Sequence, residues 1–432
     1  MNNNKEIRKE VLGVIGLGYV GLPLAMEFVR SGYKTIGFDI DVKKIDRLSN
    51  GEIYLKHIGE DRVKDFFNSG LFTPTADFSR LNEVDLISIC VPTPLDKYRQ
   101  PDLSFVEDSA RAVAENIKQG AIVILESTVY PGTTREILMP ILEKGGSKLD
   151  KGFYLAFSPE REDPGNEKYT TKNIPKVIGG LSEQSRRKVV EIYENVFDEI
   201  VEVSSAEVAE ATKIMENTYR SVNIALVNEL KVIFDKMGIN VWEVIEAAKT
   251  KPFGFTPFYP GPGLGGHCIP IDPFYLSWKA RKFGINTRFI ELAGEINTMM
   301  PEYVIMKTIS ALNKNKKSLR GSKILVMGVA YKKDIDDSRE SPGIKIIELL
   351  QDGGAEVSYY DPYITEIYDM RQTDLVMSSI KLKNELLKEQ DAVIIVTAHS
   401  NIDYKNIVDN SSVVIDTRNA LSGIKSHKIF RA

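Results

Sequence analysis

The chain contains 432 residues, of which 43% are hydrophobic and 27% are charged, as in ordinary folded proteins and unlike disordered or collagen-like chains. At about 100 to 200 residues per domain, this length indicates two or three domains and excludes a single small module. The 56 Lys and Arg residues are balanced by 60 Asp and Glu residues, for a net charge of −4, so no basic footprint indicates nucleic acid or an anionic membrane as a partner.

The cysteine content and the N-terminal region indicate the compartment. Only Cys90 and Cys268 occur, which excludes a disulfide-stapled secreted domain and favours a reducing compartment. An uncharged run over residues 11–26 superficially resembles a signal peptide or membrane anchor. It is shorter than the roughly 20 apolar residues of a spanning helix and is interrupted by glycines and a proline. We therefore predict a cytoplasmic protein with no membrane segment.

Short β-rich runs alternate with longer amphipathic segments in the first half of the chain, which predicts crossover helices and a mostly parallel sheet. The predicted strands of this sheet are residues 11–15, 35–39, 85–91, 121–127, 154–158 and 177–179. A smaller copy of the pattern predicts strands at residues 323–328, 356–361, 392–397 and 412–416. The predicted fold class is α/β, with two Rossmann-like doubly wound domains joined by a long central helix.

The helical region between the two sheets begins at Ser204, whose spacing to Glu207 matches a capping box. No Gly or Pro interrupts the chain before Gly238, so a helix of about 30 residues, roughly 45 Å long, is predicted. Such a helix suits a dimerisation surface, and the alternative is an intramolecular spacer. With a basic linker over residues 313–321 before the second sheet, the predicted domains are residues 1–203, 204–312 and 313–432.

A glycine-rich turn directly follows the first predicted strand. Gly16, Gly18 and Gly21 form a GxGxxG motif that opens a helical segment, the arrangement that lets a backbone approach a pyrophosphate at a helix N-terminus. Asp39 ends the next strand, near the spacing expected for an acidic residue that binds the adenosine ribose hydroxyls and repels a 2′-phosphate. The lysines at positions 43 and 44 would tolerate NADP, but the motif favours NAD.

A second unusual segment, residues 260–273, surrounds Cys268 with glycines and prolines. Such a loop costs conformational entropy and indicates close backbone approach to a ligand beside a thiol, so Cys268 is the candidate nucleophile. Cys90 lies in an apolar strand and is predicted to be core. His267 is adjacent to Cys268 but would point away from it in an extended chain, which makes a protease-type dyad improbable.

Metal ligation is not predicted, because the four histidines, at positions 57, 267, 399 and 427, include no two at ligand spacing. On the predicted central helix, Lys213 and Asn217 are four residues apart and share one face. Taken alone, this pair indicates only a solvent-exposed polar face of the helix.

The chain resembles the UDP-glucose/UDP-N-acetylhexosamine 6-dehydrogenase family over most of its length. The motifs that carry the resemblance are GLGYVGLPLA from Gly16, VPTP from Val91, ESTVYPGTT from Glu126, FSPER from Phe157, the helix with Lys213 and Asn217, GPGLGGHCIPIDP from Gly261 and GVAYKKDIDDSRESPG from Gly328. The resemblance implies an N-terminal NAD-binding Rossmann domain, a central helical dimerisation domain and a C-terminal UDP-binding domain, assembled as a homodimer or higher homo-oligomer.

The family oxidises a sugar C6 alcohol to an acid with two NAD⁺, through an aldehyde, a thiohemiacetal and a thioester on cysteine. The resemblance implies these catalytic residues: Thr128, Glu160, Lys213, Asn217, Cys268 and Asp272. For the cofactor, the motif and the resemblance together imply Gly16, Gly18, Tyr19, Val20, Gly21, Asp39, Lys44, Thr93, Thr128 and Arg339. For the substrate, the resemblance implies Glu160, Arg161, Lys213, Asn217, Tyr259, Gly261, Gly263, Gly265, Lys332, Lys333 and Arg418.

The sequence departs from the glucose-type pattern before the central helix, where it reads SPEREDPGN over residues 158–166. The arginine that glucose-type enzymes place shortly before the cysteine loop is absent, and Pro252 stands near that position. These features look like the N-acetylhexosamine branch, and the wording of both loops is closest to UDP-N-acetylglucosamine 6-dehydrogenases. The expected activity is formation of the uronic acid of that sugar, as a precursor of surface polysaccharide.

Several alternatives stay open. UDP-N-acetylmannosamine and UDP-glucose are alternative substrates. A non-catalytic sensor of NAD and nucleotide sugar would have no need of a thiol in a costly glycine loop. A two-electron hydroxyacid dehydrogenase would have no need of the second doubly wound domain.

Overall fold

The computed structural model of the chain describes residues 7–55, 58–96, 98–162, 168–266, 268–368 and 373–432. His57, His267 and residues 163–166 of the SPEREDPGN motif therefore lie outside the described residues. The chain divides into two compact units. Unit 1 is the chain up to Glu216 together with Phe274–Asn286, and unit 2 is Asn217–Pro273 together with Thr287–Ala432.

Unit 1 contains an eight-stranded sheet in the order β3-β2-β1-β4-β5-β6-β7-β8, parallel except for the antiparallel pair β6 and β7. Its strands are β1 (Val11–Ile15), β2 (Lys34–Phe38), β3 (Phe72–Thr75), β4 (Leu86–Ile89), β5 (Ala121–Leu125), β6 (Phe153–Phe157), β7 (Lys176–Gly180) and β8 (Ile200–Val203). Its helices before the central region are α1 (Gly21–Arg30), α2 (Val42–Ser49), α3 (Glu60–Asn68), α4 (Ser104–Asn116), α5 (Met139–Lys144) and α6 (Glu183–Tyr193). A 3-10 helix, Phe78–Glu83, and a π-helical turn, Thr134–Leu138, complete the set.

Unit 2 contains a five-stranded parallel sheet in the order β10-β9-β13-β14-β15 and a separate antiparallel pair, β11 and β12. The strands are β9 (Lys323–Met327), β10 (Glu356–Tyr360), β11 (Glu366–Ile367), β12 (Met377–Ser378), β13 (Ala392–Ile395), β14 (Val414–Asp416) and β15 (Ile429–Arg431). The remaining helices of the chain are α7 (Ala206–Met237), α8 (Val241–Lys249), α9 (Asp272–Arg281), α10 (Arg288–Lys314), α11 (Pro342–Asp352), α12 (Asn384–Glu389) and α13 (Tyr404–Asn410). The predicted α/β class with two Rossmann-like sheets and a long central helix is confirmed.

Apolar strands are buried on both faces in each sheet, as parallel strands covered by helices require. In unit 1, β4 and β5 are buried at every residue, and the cluster beneath α1 includes Phe28. In unit 2, β13 is buried throughout and packs with α11 around Ile347. Cys90 is a buried free thiol, as predicted.

Helix α7 runs for 32 residues and ends before Gly238, whose φ of +72° stops the helix. The N-terminus differs from the sequence prediction. Ser205, not Ser204, caps the helix, because its hydroxyl accepts the N–H of Val208 at 3.3 Å. Val208 therefore occupies the third helical position, where a capping box requires Glu or Gln, so Glu207 is one residue out of register for the box. Across the described ranges, no helix combines the length and apolarity needed to cross a bilayer.

Candidate active site

The turn between β1 and α1 is shaped by three glycines. Gly16 has a φ of +91°, and a Cβ there would lie 2.7 Å from the carbonyl oxygen of Cys90. A Cβ on Gly21 would lie 1.9 Å from the carbonyl oxygen of Gly16, so only glycine lets the helix approach the turn this closely. A Cβ on Gly18 would meet nothing within 4 Å. The space above Gly18 at a helix N-terminus therefore fits a pyrophosphate.

The adjacent acidic side chain is held in place by the same turn. Asp39 is 6% exposed, and its Oδ2 accepts the N–H of Leu17 at 2.9 Å. Lys44 forms an ion pair with that oxygen at 3.2 Å. Lys44 is thus engaged by Asp39, and the role of Asp39 in the choice between NAD and NADP stays a prediction.

The other cofactor candidates of unit 1 line the same sheet edge. Tyr19 and Val20 pack partly buried against the unit 1 core. The carbonyl oxygen of Thr93 accepts the hydroxyl of Tyr275 at 2.8 Å. Thr128 is half-buried and follows β5. These positions fall at the carboxyl ends of parallel strands, where open α/β sheets bind ligands.

A buried charged network lies beside Thr128. Lys176 donates to Glu126 at 2.6 Å and to Glu160 at 3.1 Å, and its side chain is 4% exposed. Tyr193 donates to the other oxygen of Glu126 at 2.6 Å and contacts Ser88 at 3.2 Å. Burial and the nearby Glu160 carboxylate raise the pKa of Glu126 above its ordinary value. Sequence reasoning did not assign Lys176 or Glu126 to the site.

Glu160 has the opposite pKa shift. Burial opposes ionisation of Glu160, but Lys176 and the N–H of Glu162 outweigh burial and hold the pKa of Glu160 below its ordinary value. Its Oε1 accepts the N–H groups of Arg161 and Glu162, both at 2.6 Å. Lys213 is 6% exposed and donates to the backbone carbonyl oxygen of Glu160. Three predicted residues, Thr128, Glu160 and Lys213, thus belong to unit 1, two of them in direct contact.

Arg161 does not extend freely into solvent. Its guanidinium donates to Glu216 at 2.6 Å and to the carbonyl oxygen of Pro175 at 2.9 Å. Arg161 therefore fixes the segment that follows Glu160 to α7.

In unit 2, the thiol lies at the start of a helix. Cys268 is exposed, and its carbonyl oxygen accepts the N–H of Asp272 at 2.8 Å, which shapes the turn into α9. Asp272 is 4% exposed, and Asn217 of α7 donates to its carboxylate. Arg220 in turn donates to the side-chain oxygen of Asn217, an engagement that the sequence did not suggest. The structure therefore links Arg220, Asn217 and Asp272 in series to the turn that carries the thiol.

The glycine loop before Cys268 packs too closely for side chains. A Cβ on Gly261 would lie 2.3 Å from a guanidinium nitrogen of Arg418, and a Cβ on Gly265 would lie 2.7 Å from the Cβ of Tyr331. Gly263 has a φ of +137°, which favours glycine. The N–H of Gly261 donates to the buried side chain of Asn228 at 2.9 Å. Glycine is therefore required at Gly261 and Gly265 because the loop backbone lies close to the side chains of Arg418 and Tyr331.

The cationic side chain of Arg418 lies against this loop, and further predicted cationic residues follow β9. Arg418 donates to the carbonyl oxygen of Val396 at 3.0 Å, and burial lowers its pKa to about 10. Lys332 is half-buried and Lys333 is exposed on the segment after β9. Arg339 forms an ion pair with Asp337 at 2.5 Å. Arg418 and Lys332 remain candidates for a diphosphate, whereas a cofactor role for Arg339 stays a prediction.

Tyr259 contacts a neighbouring helix. Its ring stacks on Trp242 with centroids 5.8 Å apart, and its hydroxyl donates to Glu246 at 2.7 Å. The side chain is 40% exposed. A substrate contact by Tyr259 stays a prediction. Among the described residues, no group of three or more His, Cys, Asp and Glu side chains is arranged to hold a metal ion.

Comparison with family models identifies three consecutive matches along the chain. The NAD binding domain of the UDP-glucose/GDP-mannose dehydrogenase family matches residues 10–197. The central domain of that family matches residues 207–299, and its UDP binding domain matches residues 325–423.

Individual proteins are similar over nearly the full length. Protein CapL of Staphylococcus aureus is 36% identical over 95% of this chain and 96% of its own. The UDP-N-acetyl-D-glucosamine 6-dehydrogenase of Pseudomonas aeruginosa is 34% identical over 92% of each chain. The solved structure of a UDP-D-ManNAc dehydrogenase from Pyrococcus horikoshii superposes with a TM-score of 0.88 at 34% identity, covering 98% of each chain.

Proposed function

Because the chain belongs to the UDP-glucose/GDP-mannose dehydrogenase family, and thus has that family's NAD-binding and UDP-binding domains, we propose that it oxidises C6 of UDP-N-acetylglucosamine to the uronic acid. The observation that carries this proposal is the exposed Cys268, whose carbonyl oxygen accepts the N–H of Asp272, the residue whose carboxylate accepts a hydrogen bond from Asn217. The acid is proposed to serve as a precursor of surface polysaccharide.

Two sequence motifs support the choice of sugar. The SPEREDPGN segment and the loop before Cys268 differ from the glucose-type pattern. Similar proteins carry the names of both N-acetylglucosamine and N-acetylmannosamine enzymes at comparable identity. UDP-N-acetylmannosamine is therefore the second candidate substrate, and direct assay separates the two.

The proposed first stage converts the alcohol into a thioester. Two molecules of NAD⁺, bound in succession at the β1–α1 turn, would each accept one hydride from C6, four electrons in all. Asp272, through water or Lys213, takes the alcohol proton during the first oxidation. The thiolate of Cys268 then adds to the aldehyde carbon, and Lys213 and Asn217 stabilise the oxygen that becomes negative. The thiohemiacetal keeps its C–H bond, so the second oxidation yields a thioester while the intermediate stays attached.

The proposed second stage is hydrolysis. A water positioned by Thr128 and Glu160 attacks the thioester carbon, the C–S bond breaks, and Cys268 leaves as the thiolate. Glu160 accepts the proton from water, as a general base must. The lowered pKa of Glu160 supports this role, because it keeps the carboxylate ionised at neutral pH.

The proposed binding roles follow the predicted residues. The turn residues Gly16, Gly18, Tyr19, Val20 and Gly21, with Asp39, Lys44, Thr93, Thr128 and Arg339, are proposed to hold NAD. The residues Arg161, Tyr259, Gly261, Gly263, Gly265, Lys332, Lys333 and Arg418 are proposed to hold the nucleotide sugar. Cationic groups suit a diphosphate, which supports the assignments of Arg418 and the lysines.

The proposed domains keep the boundaries 1–203, 204–312 and 313–432. Each family match falls inside one of these ranges, which supports them. A homodimer is proposed through the central region, supported by exposed apolar side chains at near-heptad spacing on α7: Tyr219, Leu226 and Ile233. The cytoplasm is the proposed compartment, because Cys268 must stay a free thiol to act as nucleophile.

The test is an initial-rate assay of the purified protein with NAD⁺ and, separately, UDP-N-acetylglucosamine, UDP-N-acetylmannosamine and UDP-glucose. We expect the highest kcat/KM with the glucosamine substrate. The Cys268→Ser variant should form no uronic acid and still bind NAD⁺, measured by product chromatography and calorimetry. A higher kcat/KM with another sugar would keep the proposed reaction and change the proposed substrate. Binding of both NAD⁺ and nucleotide sugar without turnover of any sugar would favour a non-catalytic sensor.

A further inference from the structure

Lys176 is a buried cation that the proposed mechanism does not use. It opens β7, whose five residues are all buried, and its side chain is only 4% exposed. Removing a lysine ammonium from water is costly unless its donors are paired. Here the ammonium lies between two carboxylates, Glu126 at 2.6 Å and Glu160 at 3.1 Å.

Glu126 anchors the lysine from the interior side. Its side chain is fully buried, and its second oxygen accepts the hydroxyl of Tyr193 at 2.6 Å. Tyr193 is also fully buried and contacts Ser88 at 3.2 Å. These side-chain contacts, from Ser88 through Tyr193 and Glu126 to Lys176, are therefore fixed by packing. The ammonium cannot move away from Glu160 without leaving the negative charge of Glu126 unpaired.

The other end of the network is the proposed hydrolytic base. One oxygen of Glu160 faces Lys176, and the other accepts two backbone N–H groups, from Arg161 and Glu162. All of these donors favour the ionised carboxylate in one orientation. We propose that Lys176 is a positioning residue that holds Glu160 ionised and aimed for hydrolysis of the Cys268 thioester, an inference that rests on the proposed function.

Stability alone is a weak reason for this arrangement. Buried ion pairs are often replaceable by well-packed apolar side chains without loss of stability, whereas removal of one partner is strongly destabilising. Replacing Glu126 and Lys176 together should therefore cost less folding stability than replacing either one alone. What the pair adds is a fixed positive charge beside Glu160.

The charged and titratable groups that face Glu160 come from several elements. Lys176 from β7 and Lys213 from α7 lower its pKa, and the neighbouring Glu162 carboxylate repels it. Glu126 and Cys90 also interact with Glu160 electrostatically. Burial lowers the pKa of Lys176, but the two carboxylates outweigh it and raise that pKa overall, so the lysine stays charged throughout the neutral range.

The sign of the expected pH effect follows. Hydrolysis requires ionised Glu160, so its rate falls as the pH drops through the pKa of Glu160. Loss of the Lys176 charge raises that pKa and moves the acid limb of the hydrolysis rate to higher pH. An opposite charge at this distance shifts a carboxyl pKa by about 1–3 units, so a shift of at least one pH unit is expected.

The experiment compares wild type, Glu126→Gln, Lys176→Met and the double variant Glu126→Gln/Lys176→Met. The double variant is the decisive one, because it leaves no uncompensated charge at Glu126 and is expected to fold even where Lys176→Met does not. Each protein is mixed with NAD⁺ and UDP-N-acetylglucosamine at pH 3.5 to 9. Steady-state turnover is recorded, and acid-quenched samples are analysed by intact mass spectrometry for acyl enzyme at Cys268.

In the double variant, we expect the acid limb of kcat to move up by at least one pH unit and the acyl enzyme to accumulate at the pH values between the wild-type limb and the shifted one. Glu126→Gln alone should show neither effect, because Lys176 still faces Glu160. A folded double variant with a wild-type acid limb and no accumulation would overturn the role of Lys176. A wild type that forms neither NADH nor acyl enzyme with any nucleotide sugar would instead overturn the proposed function itself.

Discussion

The glycine turn allows a direct separation of cofactor binding from folding. Alanine at Gly18 would place its methyl group in open space, with no atom within 4 Å. Alanine at Gly21 would place its methyl group 1.9 Å from the carbonyl oxygen of Gly16, a backbone atom that cannot move aside cheaply. We therefore expect Gly18→Ala to lose NAD⁺ binding with normal stability, and Gly21→Ala to lose stability first.

The magnitudes follow from these contacts. A surface substitution that meets nothing changes stability by less than about 0.5 kcal/mol, so the melting temperature of Gly18→Ala without cofactor should match wild type. A methyl group at the approach of the pyrophosphate should raise the Kd for NAD⁺ at least tenfold, which is about 1.4 kcal/mol. Overpacking at Gly21 should cost about 1–3 kcal/mol, a fall of about 2–4 °C per kcal/mol for a unit of this size.

Two measurements check this pair: differential scanning fluorimetry without cofactor and isothermal titration calorimetry with NAD⁺. Wild-type NAD⁺ affinity in Gly18→Ala would refute the placement of the pyrophosphate over this turn. A wild-type melting temperature in Gly21→Ala would refute the packing argument for the third glycine.

Three further predictions concern other contacts. Ser205→Ala should lower the free energy of unfolding, measured in urea, by about 1 kcal/mol through loss of the α7 cap. Ser204→Ala is the matched control and should lose none. Equal losses in the two variants would contradict the assigned cap. Burial opposes ionisation of Asp361, but His399 and backbone N–H groups outweigh it and lower the pKa of Asp361. Its stabilisation is therefore complete above the unfolded pKa of about 3.9 and is lost as pH falls through the lower folded value. Asp361→Asn should lower the melting temperature at pH 7 through a loss of about 1–3 kcal/mol and flatten the acid-side fall below pH 4; an unchanged acid-side slope would contradict this. Asp39→Ala should raise the NADP⁺/NAD⁺ ratio of kcat/KM at least tenfold, and an unchanged ratio would contradict a role of Asp39 in cofactor choice.

Central strands were predictable from the sequence, whereas among the edge strands only β10 was predicted. The apolar runs of β1 and β5 are continuous because both faces are covered, so residues 11–15 match the observed strand and residues 121–127 overrun it by two. Strand β3 contains a proline and is only half-buried, and β15 has three residues, so neither has a distinct pattern. Most predicted strands ran one or two residues past the observed C-terminal end.

The site was predictable where a residue type itself signals chemistry. The glycine turn, Asp39 and the thiol at Cys268 stand out because their spacing or cost needs an explanation. Lys176 and Glu126 do not stand out, because their pairing joins residues 50 positions apart and appears only when β5 and β7 are assembled. A charged residue at the border of a fully apolar strand was the one signal available for each.

Counting NADH separates four-electron oxidation at C6 from two-electron oxidation. The purified protein is incubated with limiting UDP-N-acetylglucosamine and excess NAD⁺, and NADH formed is compared with sugar consumed and acid produced. We expect two NADH and one uronic acid per sugar. One NADH per sugar with an aldehyde as the product would contradict it.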